Sequence, residues 1–143
     1  MALSAKVRYG IVALIELAAL HAQGGVLQVG EIAQRQSIPD RYLEQMLTTL
    51  RRARILRSIR GPKGGYQLAR PPAEVSLLEV VAALEGQPPS RDPTARSSAE
   101  FDVLTTLEDH LERARTTLLA GTTLQGLLEE RDQRMQAQVM YFI

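Results

Sequence analysis

The stretch from Gly30 to Leu68 restricts the folds open to this chain more than any other part of it. Ile32 and Ala33 set among Glu31, Gln34 and Arg35 predict a two-turn helix over Gly30–Gln36, and Ser37-Ile38-Pro39 reads as a tight turn. Pro39 opens the next helix, where a missing N–H costs nothing. That helix carries Leu43, Met46 or Leu47, and Leu50 inward, and it leaves Asp40, Arg41, Glu44, Gln45, Thr48, Arg51 and Arg52 pointing out. A short helix, a turn and a longer polar-faced helix together predict a helix-turn-helix. Leu56–Arg60 and Tyr66-Gln67-Leu68 then flank Gly61-Pro62-Lys63-Gly64-Gly65, the pattern of a β-hairpin with a glycine-rich tip. The three glycines permit positive φ and close backbone approach, and Arg60 and Lys63 put cations at the tip, where a groove-probing wing needs them. The ordered combination predicts a winged helix-turn-helix.

The remaining segments read as helices around this unit. A first helix is expected from Leu3 to His21, with Leu3, Val7, Ile11, Leu14 and Leu17 or Ala18 inward and Gly24-Gly25 stopping it. Its start resembles a secretory signal, but Glu16 interrupts the apolar run. A short extended piece covers Val26–Val29. Ser76 and Glu79 form a capping box for a helix burying Leu77, Leu78, Val80, Val81 and Leu84 and ending at Gly86. Residues 87–98, rich in Pro and Ser, read as a loop. A long helix follows over Ala99–Leu119. Its Leu104, Leu107, Leu111, Ala114 and Leu118 step by 3, 4, 3 and 4 residues, the rhythm of a two-helix seam and so of a dimerisation face. Gly121-Thr122-Thr123 breaks it, and Thr123 caps a last helix from Leu124 towards Arg134. The expected architecture is mainly α with a small β-hairpin wing: a DNA-binding unit over 1–85, a loop over 86–98, and dimerisation and C-terminal helices over 99–143.

Composition narrows the chemistry. There is no cysteine among the 143 residues, which removes thiolate metal sites, thiol nucleophiles and disulfides together, and two lone His make an all-histidine metal site implausible. No stretch of about 20 uncharged apolar residues is present to span a bilayer, so a cytoplasmic protein with no membrane contact is expected. The net charge of +1 conceals an asymmetry. Residues 1–70 carry eleven Lys/Arg against four acids, +7, while residues 71–143 carry six Arg against twelve acids, −6. A basic half joined to an acidic half points to a polyanion-binding module and a differently employed partner segment.

Arg41, Glu44, Gln45 and Thr48 lie at i, i+3, i+4 and i+7, on one side of one helix. Their types match base edges: Arg to guanine, Gln to adenine, a carboxylate to the cytosine amino group, Thr to the thymine methyl. An acid aimed at DNA is costly unless it reads a base, which makes Glu44 a candidate for specificity rather than affinity. Arg51, Arg52, Arg54 and Arg57, with Tyr42, are candidate phosphate contacts. Arg60 is the candidate for minor-groove insertion, with Lys63, Gly64 and Gly65 completing the wing. The plainer alternatives are a merely solvated helix face, tyrosines that pack with exposed hydroxyls, and surface His21 and His110. Glu108, Asp109 and Glu112 read as the solvated flank of the long helix. No phosphate loop, nucleophile elbow or zinc signature occurs, so no catalytic residue and no enzyme activity is expected.

LSAKVRYGIVALIELA, EIAQRQSIPDRYLEQMLTTLRRARIL, RSIRGPKGGYQLARPP and VSLLEVVAALEG resemble the Rrf-two (IscR/NsrR/CymR-type) family of bacterial transcription regulators, with YLEQ and RGPKGGY the most specific parts. The resemblance runs from about Leu3 to Gly86 and resumes at the long helix through TTLQGLLEE. It implies a homodimer on a roughly palindromic promoter site, with the long helix crossing at the interface, a base read by Glu44, and Arg60 in the minor groove. Many members bind an iron–sulfur cluster through three Cys in the loop before the long helix, whereas QPPSRDPTARSSAEFD has none. Asp92, Asp102 and distant His110 do not replace three soft ligands at that spacing, so no cofactor is expected. The resemblance is to the cysteine-free branch, in which a partner protein or small molecule supplies the signal, and the 87–98 loop is where such a contact is expected. A rival from another class is a winged-helix interaction module docked on an enzyme, though eleven cations exceed what a scaffold needs.

Overall fold

Ser4 sets the start of the first helix, α1 (Ala5–Leu20): its hydroxyl accepts from the Val7 N–H at 3.3 Å, which satisfies a donor the helix cannot. The structure is a computed structural model that describes residues 2–86 and 98–141. α1 buries Val7, Gly10, Ala13, Leu14, Leu17 and Ala18. Ile11, expected inside, is only half-buried because the inner stripe runs through Gly10 and Ala13. Those small residues let a later helix come close, so closeness replaces bulk at this point in the core.

After a 3₁₀ turn at His21–Gln23 come α2 (Val29–Gln36) and α3 (Asp40–Arg52). Ser37 between them takes the left-handed conformation, φ 55°, and Ile38 donates its N–H back to the Ala33 carbonyl at 3.0 Å while burying its side chain. Pro39 stands one place outside α3 as its cap, and its carbonyl accepts the first helical bond from Leu43. Leu43, Met46, Leu47 and Leu50 are all fully buried, so the inward stripe is wider than a single choice between Met46 and Leu47. Glu16 of α1 accepts from Arg35 at 3.3 Å and Gln36 at 3.2 Å, tying α2 to the scaffold beneath it.

The hairpin pairs β1 (Leu56–Ile59) with β2 (Gly65–Leu68), antiparallel, in the register Leu56↔Leu68 to Ile59↔Gly65. Leu27 adds a one-residue third strand, exchanging bonds of 3.0 and 2.8 Å with Tyr66. Gly65 sits at φ 152°, where a Cβ would collide with the Leu27 carbonyl. Gly64 has no positive φ, contrary to expectation; it is buried, and a Cβ there would meet the Ile59 carbonyl. The close backbone approach that both glycines permit is therefore to the protein's own chain.

α4 (Leu77–Glu85) begins with the expected capping box. Ser76 Oγ accepts from the Glu79 N–H at 3.3 Å, and Glu79 accepts from the Ser76 N–H at 2.9 Å and from Arg70 at 2.7 Å. Leu78 is half-buried rather than buried. The loop expected at 86–98 lies, apart from Gly86 and Ser98, outside the described residues. α5 (Ala99–Ala120) is capped by Ser98 and buries none of its residues. α6 (Leu124–Tyr141) starts at Thr123, whose hydroxyl accepts from Gly126 at 3.1 Å, and runs past the expected Arg134 because Met135 to Tyr141 holds no glycine or proline to stop it.

The C-terminal part returns to the same core. Leu77 donates to the Thr122 carbonyl and Leu124 to the Val75 carbonyl, both at 2.9 Å, and Leu124 and Leu128 are buried against α1. α1 is thus the central helix, with α3, α4, α6 and β2 around it. Among the described residues, one long face of α3 and the far end of the hairpin are left exposed.

Candidate nucleic-acid interface

The outer face of α3 is set by its burial pattern: with Leu43, Met46, Leu47 and Leu50 turned inward, Arg41, Glu44 and Gln45 are exposed and Thr48 half-exposed. Together with Thr49 and Arg52 they line one shallow depression of about 470 Å³. Thr49, missed in the sequence, belongs to this face and could have been found from its i+4 spacing from Gln45, and Arg52, already expected outward, shares it at i+7. Thr49 Oγ1 donates its proton to the Gln45 carbonyl at 3.0 Å, which leaves its oxygen as an acceptor and its methyl for an outside contact. Thirteen residues at 1.5 Å each make α3 about 20 Å long, a rod that fits the ~12 Å wide major groove of B-DNA.

The end of α3 is shaped by a residue of the wrong type for its geometry. Arg54 N–H donates to the Arg51 carbonyl at 2.9 Å and Ile55 N–H to the Leu50 carbonyl at 3.0 Å, the paired bonds of a Schellman cap. Arg54 occupies the left-handed position of that cap, φ 63°, where glycine is the usual occupant. Arg51, Arg52 and Arg54 are exposed around this cap, and Arg57, Arg60 and Lys63 are exposed along the hairpin that follows. Tyr42 is half-buried, with its ring edge-on to Tyr9 at 5.7 Å between centroids. Gly64 and Gly65 shape the tip from within.

The cations of this surface lack acid partners, as do Lys6 and Arg113 elsewhere among the described residues; what distinguishes the surface is how many of them it gathers. Among the described residues, ion pairs join Arg35 to Glu16, Arg70 to Glu79, Arg115 to Glu85, Arg131 to Asp132 and Arg134 to Glu130. Among the described residues no ion pair forms at any of the cations from Arg41 to Lys63, nor at Glu44. The seven cations on α3, its cap and the hairpin are exposed to solvent, and like charges gathered on neighbouring elements repel one another. Such a surface is suited to a polyanion that neutralises it.

The row Leu104, Leu107, Leu111, Ala114 and Leu118 lies along α5 with every member exposed, the leucines by 47, 54, 63 and 70%. Phe101, three residues before Leu104, extends the row, as its spacing could have shown. Met135, Val139 and Met140 are likewise exposed on the far half of α6.

A short helix, a turn, a polar helix face and a two-stranded wing, the last two carrying cations without acid partners among the described residues, define a winged helix-turn-helix protein of the nucleic-acid-binding kind. Within that class the chain belongs to the Rrf2 family, whose model, described as an iron-dependent transcriptional regulator, matches residues 3–130. It is 32% identical over 145 residues to a Neisseria meningitidis chain classed as an HTH-type transcriptional regulator, an alignment covering 99% of this chain and 97% of that one. Among solved structures, T. potens IscR is similar at a TM-score of 0.78 and 29% identity over 92% of this chain and 89% of that one. The oxidised form of Staphylococcus aureus CymR is similar at a TM-score of 0.74 and 36% identity over 90% and 97%. The chain is accordingly a transcriptional regulator and not an enzyme. No helix among the described residues is long and apolar enough to cross a membrane.

The family description names iron, and the donor set here does not suit an iron–sulfur cluster. The chain has no thiolate, and no three His, Cys, Asp or Glu side chains converge among the described residues. Asp102 and His110 lie on α5 about 12 Å apart along the axis, too far to share one ion. Asp92 lies outside the described residues.

Proposed function

We propose that this protein is a sequence-specific DNA-binding regulator that acts as a homodimer on a palindromic promoter site, represses by occupying it, and does so without an iron–sulfur cluster. The observation that carries the reading is the set of cations from Arg41 to Lys63, without a carboxylate partner among the described residues, gathered on α3, its cap and the hairpin. In this reading Arg41, Glu44, Gln45 and Thr48 meet base edges in the major groove. Arg51, Arg52, Arg54, Arg57 and Tyr42 hold phosphates, and Arg60 enters the minor groove beside the wing.

The exposed leucines of α5 supply the dimer seam, a use that accounts for a 22-residue helix that buries nothing of its own. A two-fold dimer presents its recognition helices to successive major grooves, ~34 Å apart. The signal is a partner protein or a small molecule, and the place of action is the bacterial cytoplasm. Selection of duplexes from a random pool at about 0.15 M salt tests the whole reading. It predicts enrichment of a two-fold motif with half-sites one turn apart; a pool that emerges without sequence preference overturns it.

A further inference from the structure

Among the described residues, Gln67 alone of the polar side chains is buried. It stands in β2 next to fully buried Leu68 and so on the opposite face of the strand, where a polar residue is ordinarily left open to solvent, yet it is covered. An amide so placed costs free energy unless both its ends are bonded. Both are. Nε2 donates to the Gly24 carbonyl at 3.3 Å, in the turn that ends α1, and Oε1 accepts from Nε of Arg57. Arg57 is the direct cross-strand partner of Gln67, so the two side chains share one face of the hairpin.

The result is a strut from the scaffold turn through Gln67 to the Arg57 guanidinium. Among the described residues Arg57 forms no ion pair, and with Nε engaged its two terminal nitrogens keep their donors for another molecule. Those donors form the planar pair that grips a phosphate in two places. Holding the side chain beforehand removes ordering entropy from the binding step. A leucine at 67 would fill the same space without the cost of burying an amide, so packing alone gives no account of the residue.

We propose that Gln67 is a positioning residue that fixes Arg57 for a backbone phosphate of duplex DNA, an inference that rests on the DNA-binding reading. The test is anisotropy titration of the full chain on a labelled duplex from the pool selection, over a range of salt, with thermal unfolding alongside. Gln67→Leu is expected to weaken binding about three- to tenfold, the range set by immobilising one long side chain. Its salt slope should stay near that of the unaltered chain because Arg57 is still present. Arg57→Ala is expected to lower the slope, and adding Gln67→Leu to it should cost nothing further.

Gln67→Glu, which keeps an acceptor for Arg57 but neutralises its charge, should bind more weakly than Gln67→Leu and serves if the leucine variant does not fold. An equal loss from Gln67→Leu with and without Arg57, or no loss at all, overturns the strut while leaving the DNA-binding surface standing. Absence of salt-dependent binding by the unaltered chain overturns the surface itself.

Discussion

Replacing Arg54 separates backbone strain from charge, because the two act on different observables. A side chain in the left-handed region costs about 1–2 kcal/mol, and Arg54 carries that cost at φ 63° in the cap of α3. Glycine removes it but gives the unfolded chain more freedom, a counter-effect of about 0.4–1 kcal/mol. The net expectation for Arg54→Gly is a folded state more stable by about 0.5–1 kcal/mol, a rise of roughly 1–4 °C in Tm for a chain of this size. Arg54→Ala keeps the strain and should gain nothing, so the comparison of glycine with alanine isolates the backbone. Both variants lose the cation. In a dimer that is two phosphate contacts, and the slope of log K against log salt should fall by about 1.8. Urea or thermal unfolding at matched chain concentration measures the first effect, and anisotropy titration over 0.05–0.2 M salt, a window of about fourfold, the second. A glycine variant no more stable than the alanine variant would refute the strained cap. An unchanged slope in both would refute the phosphate role.

Three further outcomes are expected. Glu44→Ala should relax the preference at one base-pair position by about 1–3 kcal/mol in a selected-site competition while leaving the salt slope in place, as follows from the proposed role of Glu44 as a base contact and not a phosphate contact. Leu111→Ala removes three carbons from a residue 63% exposed in the monomer, worth about 1.5 kcal/mol per protomer if the seam covers it. Two copies make that about 3 kcal/mol, a hundredfold or more in dimer Kd by sedimentation equilibrium; an unmoved Kd would place the interface elsewhere. Gly65→Ala forces a Cβ against the Leu27 carbonyl at φ 152° and should destabilise the chain by about 2 kcal/mol or more in urea unfolding, with loss of the Leu27–Tyr66 pairing by amide exchange.

What the sequence made legible follows a physical division. Ser76 with Glu79, Ser37-Ile38-Pro39 and the apolar steps of α3 are local signals, and the elements they predict are present at Leu77–Glu85, the turn and Asp40–Arg52. Interactions made across the fold were not readable from it. Gly10 and Ala13 face the core because α4 comes close to α1, and a search for large apolar residues passes over them in favour of Ile11. Gly64 and Gly65 carry no mark in the sequence to say which backbone comes near, and the answer is Ile59 and Leu27 rather than an outside ligand. The two bonds of Gln67 join residues 10 and 43 positions away, beyond any periodicity. On the candidate site, the spacing of Arg41, Glu44, Gln45 and Thr48 sufficed to put them on one face. That the nearby cations lack acid partners depended on where every carboxylate folded.

The most direct measurement is the amide NMR spectrum of the full chain as a selected duplex is added at about 0.15 M salt. Shifts gathered on Asp40 to Arg54 and on the hairpin through Gly65, with those of α5 and α6 unmoved, are the predicted result. Perturbations that spare α3 and fall along the acidic flank of α5 would contradict the assignment of the DNA-binding face.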